Sequence, residues 1–316
     1  MKVFVAGATG VLGRRAVPAM VARGHDVTAV ARTPEKGDLL RELGATPVMV
    51  DLFDADAVRR AVDGHEAVVH AATSIPSPTR MPLRRAWVTN DRLRAEATPL
   101  LADAARAAGA TVFVKESITF SYADGGDRWL DESAPLGPLA NLSSALVAEG
   151  VAERFTDAAA GRRGIVIRYG MFYGPDSDST VATVKAARRG IASALGDRHN
   201  FASPIHTDDA ATALAAALDV PAGVYNAVDD EPVTWEDYFA ALATAVGRRH
   251  LRFPPAIVAK AGGRATAPLA RSQRVSNRRF REASGWGPAY PSAREGWPAV
   301  IAELESGVTR TPRTSR

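Results

Sequence analysis

Along the first half of the chain, short runs of β-branched and other apolar residues alternate with stretches whose apolar side chains recur every three or four positions. Residues 2–7 (KVFVAG), 26–32 (DVTAVAR), 46–52 (TPVMVDL), 66–72 (EAVVHAA), 111–117 (TVFVKES) and 164–170 (GIVIRYG) predict strands. Residues 14–24, 33–44, 54–64, 90–109 and 139–160 predict the helices between them. Gly24 fits a glycine just past a helix end, and Asp54 fits an N-cap. Apolar strands separated by helices imply a parallel sheet covered on both faces, a doubly wound α/β architecture. After Gly170 the alternation survives in pieces: a helix over 208–219 with Asp208 at its start as a cap, and a strand over 223–228. The expected division is one domain over 1–170, to which 203–228 returns. A smaller C-terminal substrate lobe is expected from 171–202 and 229–305, with a polar, basic, disordered tail over 306–316.

Composition narrows this picture. With 316 residues, 46% apolar and 23% charged, the chain suits one large α/β domain or a domain with a smaller lobe. No apolar run is long enough to cross a bilayer, and the N-terminus enters a strand without a signal peptide's apolar core. A cytoplasmic protein without membrane contact is the expectation. The absence of cysteine excludes disulfides, thiolate metal sites and cysteine nucleophiles. The net charge of +4 is small for the length, and the arginines lie in scattered pairs with no aromatic-interleaved stripe. Solvated helix faces, and no nucleic-acid partner, are the reading of that pattern. No histidine–carboxylate spacing suggests a metal, and no Gly-x-Ser-x-Gly elbow suggests hydrolysis. Lysine is scarce: Lys2, Lys36, Lys115, Lys185 and Lys260 are all there are.

The strongest chemical signal is VAGATGVLG, which follows the first strand and opens the first helix. Its glycines, Gly7, Gly10 and Gly13, allow a tight turn, a close approach of the backbone to a pyrophosphate, and close helix–strand packing. The helix N-terminus then offers unpaired N–H groups to the anion. Gly7, Thr9, Gly10, Val11, Leu12 and Gly13 are the candidate phosphate contacts. An acid at the end of the second strand would hold the ribose 2′-hydroxyl of NAD; here the strand ends Ala31-Arg32. The fork of Arg32 suits a 2′-phosphate, so NADP(H) is favoured over NAD(H).

Placed in order, these residues resemble the extended short-chain dehydrogenase/reductase family of NAD(P)-dependent epimerases and dehydratases, over nearly the whole chain. Asp51-Leu52 is similar to the family's pair beside the adenine. AVVHAAT (67–73) resembles its fourth strand, where Ala71, Ala72 and Thr73 would border the cofactor. Asn90 falls on an asparagine of the fourth helix, and RYGMFYGP (168–175), SPIHTDDAA (203–211) and ASGWGPAYP resemble later family segments. Gly170, at the end of the sixth strand, completes the candidate cofactor set. The resemblance implies a Rossmann-like sheet of about seven strands with a substrate lobe from the second half, hydride-transfer chemistry on a small organic substrate of sugar or secondary-metabolite type, and a homodimer built on the long fourth and fifth helices. It also implies that a Tyr-x-x-x-Lys pair supplies the proton, with a Ser or Thr on the fifth strand orienting the substrate.

That pair is missing. With Glu149 on the glutamate that follows the family motif, Ser144 falls on its serine, Ala145 on its lysine and Asn141 on its tyrosine. Asn141, Ala145 and Glu149 share one helix face. None of Tyr122, Tyr169, Tyr173, Tyr225, Tyr238 and Tyr290 has lysine four residues later. On the fifth strand Ser117 matches one family serine, while the position most often catalytic falls at Ile118, beside Thr119. Ser117 and Thr119 are candidates to meet substrate, or equally to bond local backbone. Tyr122 is a candidate acid, although the matching family tyrosine is mostly structural. Lys115 is expected to be packed or solvated, and His206 to cap a helix. Three functions stay open: an NADP(H)-dependent oxidoreductase drawing its proton from substrate, water or Tyr122; a non-redox isomerase, cyclase or dehydratase on the same fold; and a catalytically silent NADP-binding regulator.

Overall fold

The computed structural model describes residues 1–77, 80–81, 83–137, 143–194, 196–254 and 270–307. Seven strands build the main sheet: β1 (Lys2–Ala6), β2 (Asp26–Ala31), β3 (Thr46–Met49), β4 (Ala67–His70), β5 (Val112–Ile118), β7 (Arg163–Tyr169) and β11 (Gly223–Ala227). Every pairing is parallel, in the order β11-β7-β5-β4-β1-β2-β3. This is the Rossmann-like, doubly wound sheet expected from the strand pattern. The order turns at β1, which lies between β2 and β4, so the crevice for a ligand opens at the C-terminal ends of β1 and β4.

Alternation along the strands sorts the core into two layers. Val3, Val5, Val69, Val114 and Ile167 face one side and pack with α1 (Val11–Ala22) and α8 (Thr207–Ala216). Phe4, Val68, Phe113 and Val166 face the other and pack with α3 (Ala55–Val62), α5 (Thr98–Ala107) and α6 (Ser144–Phe155). Asp54 caps α3 through two backbone N–H groups, and Gly24 takes a left-handed φ of 80° after α1.

Several boundaries shift for physical reasons. The first helix begins at Val11 rather than 14, because Gly10 already serves as its N-cap. The long helix expected from 90 is α4 (Val88–Arg92), a π turn (Leu93–Ala97) and α5 in succession. The helix expected from 139 begins at Ser144 and ends at Phe155; residues 138–142, including Asn141, lie outside the described residues. Asp208 does not cap α8: the His206 ring does, accepting the Asp208 N–H at 3.2 Å. The C-terminal helix α11 (Ala293–Ser306) takes in Ser306 and stops at Gly307, whereas 308–316 of the expected tail lie outside the described residues.

The second lobe gathers β8 (Met171–Tyr173), α7 (Asp178–Arg188), α9 (Trp235–Ala245) and α11 around an aromatic core of Tyr173, Trp235, Tyr238, Phe239 and Trp297. α8 lies on α1 and β11 closes the sheet edge beside β7, whereas 204–206 pair in parallel with β8 of the second lobe. Arg15 of α1 ties the lobes. Its buried guanidinium meets Asp176 at 2.7 Å, Glu303 at 2.8 Å, and Asp208.

Candidate active site

The phosphate loop joins β1 to α1. Gly7 has a φ of 96°, open to glycine alone at low cost, and a Cβ there would overlap the backbone of Ala71 and Ala72. A Cβ on Gly13 would overlap Gly7 and Ala8, so the helix can lie against the loop only as glycine allows. No side chain caps α1 at Gly10, and its first turn holds no acid. Its opening amides and positive dipole end are therefore free for an anion. Thr9 and Val11 are half-buried at this rim, Gly10 is exposed, and Leu12 points into the core.

The neighbouring strand ends complete the cradle. Arg32 is exposed just past β2, which pairs with β1. Asp51 is exposed after β3 and accepts the Phe53 N–H at 3.0 Å, while Leu52 is buried. Ala71, Ala72 and Thr73 run out of β4 with rising exposure. Asn90 is fully buried and takes a positioning role: its Oδ1 accepts the Ser74 N–H at 3.1 Å, fixing that loop. Gly170 follows β7 and donates its N–H to Ala227 O. The donor set, the uncapped helix end and the space kept by two glycines fit a dinucleotide.

At the far side, α6 brings Ala145 and not a lysine; it is 1% exposed. Ser144 donates to Asp91 Oδ1 at 2.7 Å, joining α6 to α4. Ser117 donates to Glu149, and Glu149 receives Arg168 through two bonds, Nε at 3.0 Å and Nη2 at 2.6 Å. Arg168 Nη1 donates in turn to the Tyr122 hydroxyl at 3.0 Å, which donates to Asn226 Oδ1 at 2.7 Å. Burial raises the Tyr122 pKa against the pull of Arg168. Its proton is committed to Asn226, and its ring is fully buried. Thr119 is buried in the turn after β5, where its carbonyl accepts the Tyr122 N–H.

A second buried cluster was not legible in the sequence. Lys115 is completely buried and donates to His70 O at 3.2 Å, Glu116 O at 2.6 Å and Glu116 Oε2 at 3.2 Å. Burial pushes its ammonium down to about 8, opposed by Glu116. Arg94, on the π turn, lies 3.7 Å from Glu116 Oε1. The carbonyl of Leu93, loosened by that turn, receives Thr98 at 3.3 Å and lies 3.0 Å from His70 Nε2. Isolated lysine and arginine positions carry no periodic signal, so only the meeting of β4, β5 and the π turn reveals the group.

Beyond the ends of β5 and β7 a pocket of about 130 Å³ opens to solvent, walled largely by aromatic side chains of the second lobe. No group of three or more potential ligands that could hold a metal is present among the described residues. No helix among them is long and apolar enough to cross a membrane.

A family profile described as NAD(P)H-binding matches residues 7–221, from the phosphate loop to the approach to β11. The chain belongs to the NAD(P)H-binding epimerase/dehydratase branch of the short-chain dehydrogenases. Within it, the chain is 36% identical over 310 residues to the 3-diazoavenalumate denitrifying reductase of a Streptomyces species, covering 94% of this chain and 99% of that protein. It is 29% identical over 324 residues to human epimerase family protein SDR39U1, covering 96% and 100%. The crystal structure of human SDR39U1 (isoform 2) with NADPH superposes with a TM-score of 0.82 at 25% identity, covering 96% of this chain and all of that one. These family members support an NAD(P)-dependent redox or epimerase enzyme as the coarse reading of the fold.

Proposed function

We propose that this protein is an NADP(H)-dependent reductase that acts on a small organic electrophile without a tyrosine–lysine proton relay. The observation that carries this reading is the pairing of an intact dinucleotide cradle with a buried alanine, Ala145, where the relay's lysine belongs. Bound NADPH would supply a hydride. The opening amides of α1 would hold its pyrophosphate, and Gly7 and Gly13 keep the space that group would need. Arg32 sits exposed beside the cradle, where its charge and planar fork meet a 2′-phosphate. Asn90 fixes the 71–77 segment against which the cofactor rests. Tyr122, Ser117 and Glu149 with Arg168 form a buried brace behind the site rather than a proton path to it.

A reductase built this way suits substrates that need no acid from the protein. A diazonium group is one: hydride addition with loss of nitrogen, ArN2⁺ + H⁻ → ArH + N2, balances with no added proton. The 36% identical diazo-compound reductase supports this class. An imine already protonated in water is another, since hydride addition gives the neutral amine directly; an enone would take its proton from water after the hydride adds.

The test is calorimetric titration with NADPH and NADH, followed by turnover on ketone, enone, imine and aryl diazonium panels. NADPH is expected to bind more tightly, and turnover is expected on substrates that need no protein acid. Arg32→Ala is expected to weaken NADPH by about tenfold or more, the scale of one charge-assisted hydrogen bond, with little effect on NADH. Equal losses for the two cofactors would remove the assignment to NADP(H). Tight NADPH binding without turnover on any panel would point to the silent or non-redox alternatives.

A further inference from the structure

Six aromatic side chains, Phe120, Phe172, Trp235, Tyr238, Phe239 and Trp297, line the pocket beyond the sheet. Its other walls are Met171 and hydroxyl side chains such as Thr180 and Thr183 of α7. No charged side chain among the described residues lines it. Trp235 and Tyr238 meet edge to face at 5.6 Å, and Tyr238 meets Trp297 at 5.4 Å, so the rings form one connected wall. Trp235 is 8% exposed and Trp297 is fully buried, yet neither indole N–H has a hydrogen-bond partner among the described residues. A buried indole N–H ordinarily finds an acceptor, because leaving one unpaired costs about 1–3 kcal/mol. Both nitrogens are enclosed by protein, so they belong to the packing of the lobe core and not to the recognition surface of the pocket.

The pocket also stands where a substrate must stand. Phe120 comes directly after Thr119 at the end of β5, and Met171 and Phe172 come directly after Gly170 at the end of β7. These two strands are neighbours, and ligands of open parallel sheets lie beyond the carboxyl ends of the strands. One wall of the pocket is thus continuous with the sheet edge on which the cofactor cradle opens.

We infer that this pocket binds a planar, conjugated aromatic substrate free of phosphate. The inference rests on the reading of the cradle as an NADP(H) site and adds the substrate class. A flat ring stacks on aromatic walls with about 0.5–1.5 kcal/mol per ring pair beyond its buried area. A sugar nucleotide brings two phosphate charges into a wall that offers no cation, and burying an unpaired charge is costly. The chain thereby keeps an epimerase-type fold around a pocket of different chemistry.

The experiment titrates the protein, with and without saturating NADP⁺, with three neutral planar probes and with UDP-glucose, following tryptophan fluorescence. The probes are trans-4-phenylbut-3-en-2-one, 2-naphthol and coumarin. Saturable quenching by at least one probe and none by UDP-glucose is the expected result. Thr183→Arg, at a half-exposed position on the pocket rim, is expected to abolish probe binding while calorimetric NADPH binding is unchanged. Saturable UDP-glucose binding, no quenching by any of the three probes, or full probe binding in Thr183→Arg would each overturn the inference. Loss of NADPH binding alone, with probe binding intact in the protein without NADP⁺, would overturn the cofactor reading and leave the pocket's chemistry standing.

Discussion

At the residue scale, the clearest case is His206. Its Nδ1 accepts the Asp208 N–H, its Nε2 is buried without a partner among the described residues, and the ring packs 4.2 Å from Tyr290. Burial, reinforced by the charge of Arg15, pushes its pKa down to about 3. The unfolded chain takes up a proton near the ordinary value of about 6.5, and the folded chain does not until far lower pH. Stability from this group is therefore full above about 6.5 and is lost as pH falls toward 3. His206→Asn keeps a capping acceptor and removes the titration, so its urea midpoint is expected to fall less than the wild type's between pH 7 and 4. Identical pH slopes in the two proteins would refute this account. His206 also shows the limit of local reading. Its capping role is legible from the IHTDDA segment, but that segment offers Asp208 as a cap equally well. Asp208 turns instead to Arg15, on a helix nearly two hundred residues earlier in the chain.

At the element scale, α6 is the informative helix. Its inner face carries Ala145 and Glu149, both buried, and it packs on β5, β7 and the π turn. A lysine at 145 would need room in a layer already closed, and overpacking of this kind costs about 1–3 kcal/mol. The helix has been fitted to alanine. Glu149 instead clamps Arg168, which carries the bond on to Tyr122 and so links α6, β7 and the segment after β5. Removing one partner strands the other charge: Glu149→Ala is expected to cost about 3–5 kcal/mol in urea denaturation. Glu149→Met with Arg168→Met is expected to cost clearly less than the single change. Additive losses would show that the ion pair does not act as a unit. The position of Glu149 was readable from its spacing to the family motif. Its partner was not, because Arg168 looked like an ordinary strand residue until β7 was placed beside β5.

At the scale of the whole molecule, Arg15 joins four elements through Asp176, Asp208 and Glu303. This buried network holds the helix that carries the phosphate loop against the lobe that carries the aromatic pocket. The homodimer implied by the family resemblance also belongs to this scale. Val88 on α4 and Val147 on α6 are large apolar side chains left 54% and 50% exposed, on the two helices expected to form such an interface. Sedimentation is expected to give twice the mass of the chain, and Val147→Glu is expected to shift the protein to the monomer without changing NADPH affinity. A wild-type monomer at tens of micromolar would rule out the dimer.

The sequence by itself determined the sheet and the cradle. Strand periodicity, strand–helix alternation and the Gly7-Gly10-Gly13 loop are local signals, because each depends on residues within one turn or one strand of each other. The missing relay was equally local, since six tyrosines and five lysines can be checked one by one. Only the tertiary structure decided what stands behind and beyond the cradle. It brought Lys115, Glu116 and Arg94 together under β4, and committed the Tyr122 proton to Asn226. It also folded six aromatic residues, spread over almost 180 positions, into one uncharged pocket. Such contacts cross between elements far apart in the chain, and neither period nor spacing records which side chains the packing of sheet against lobe will bring face to face.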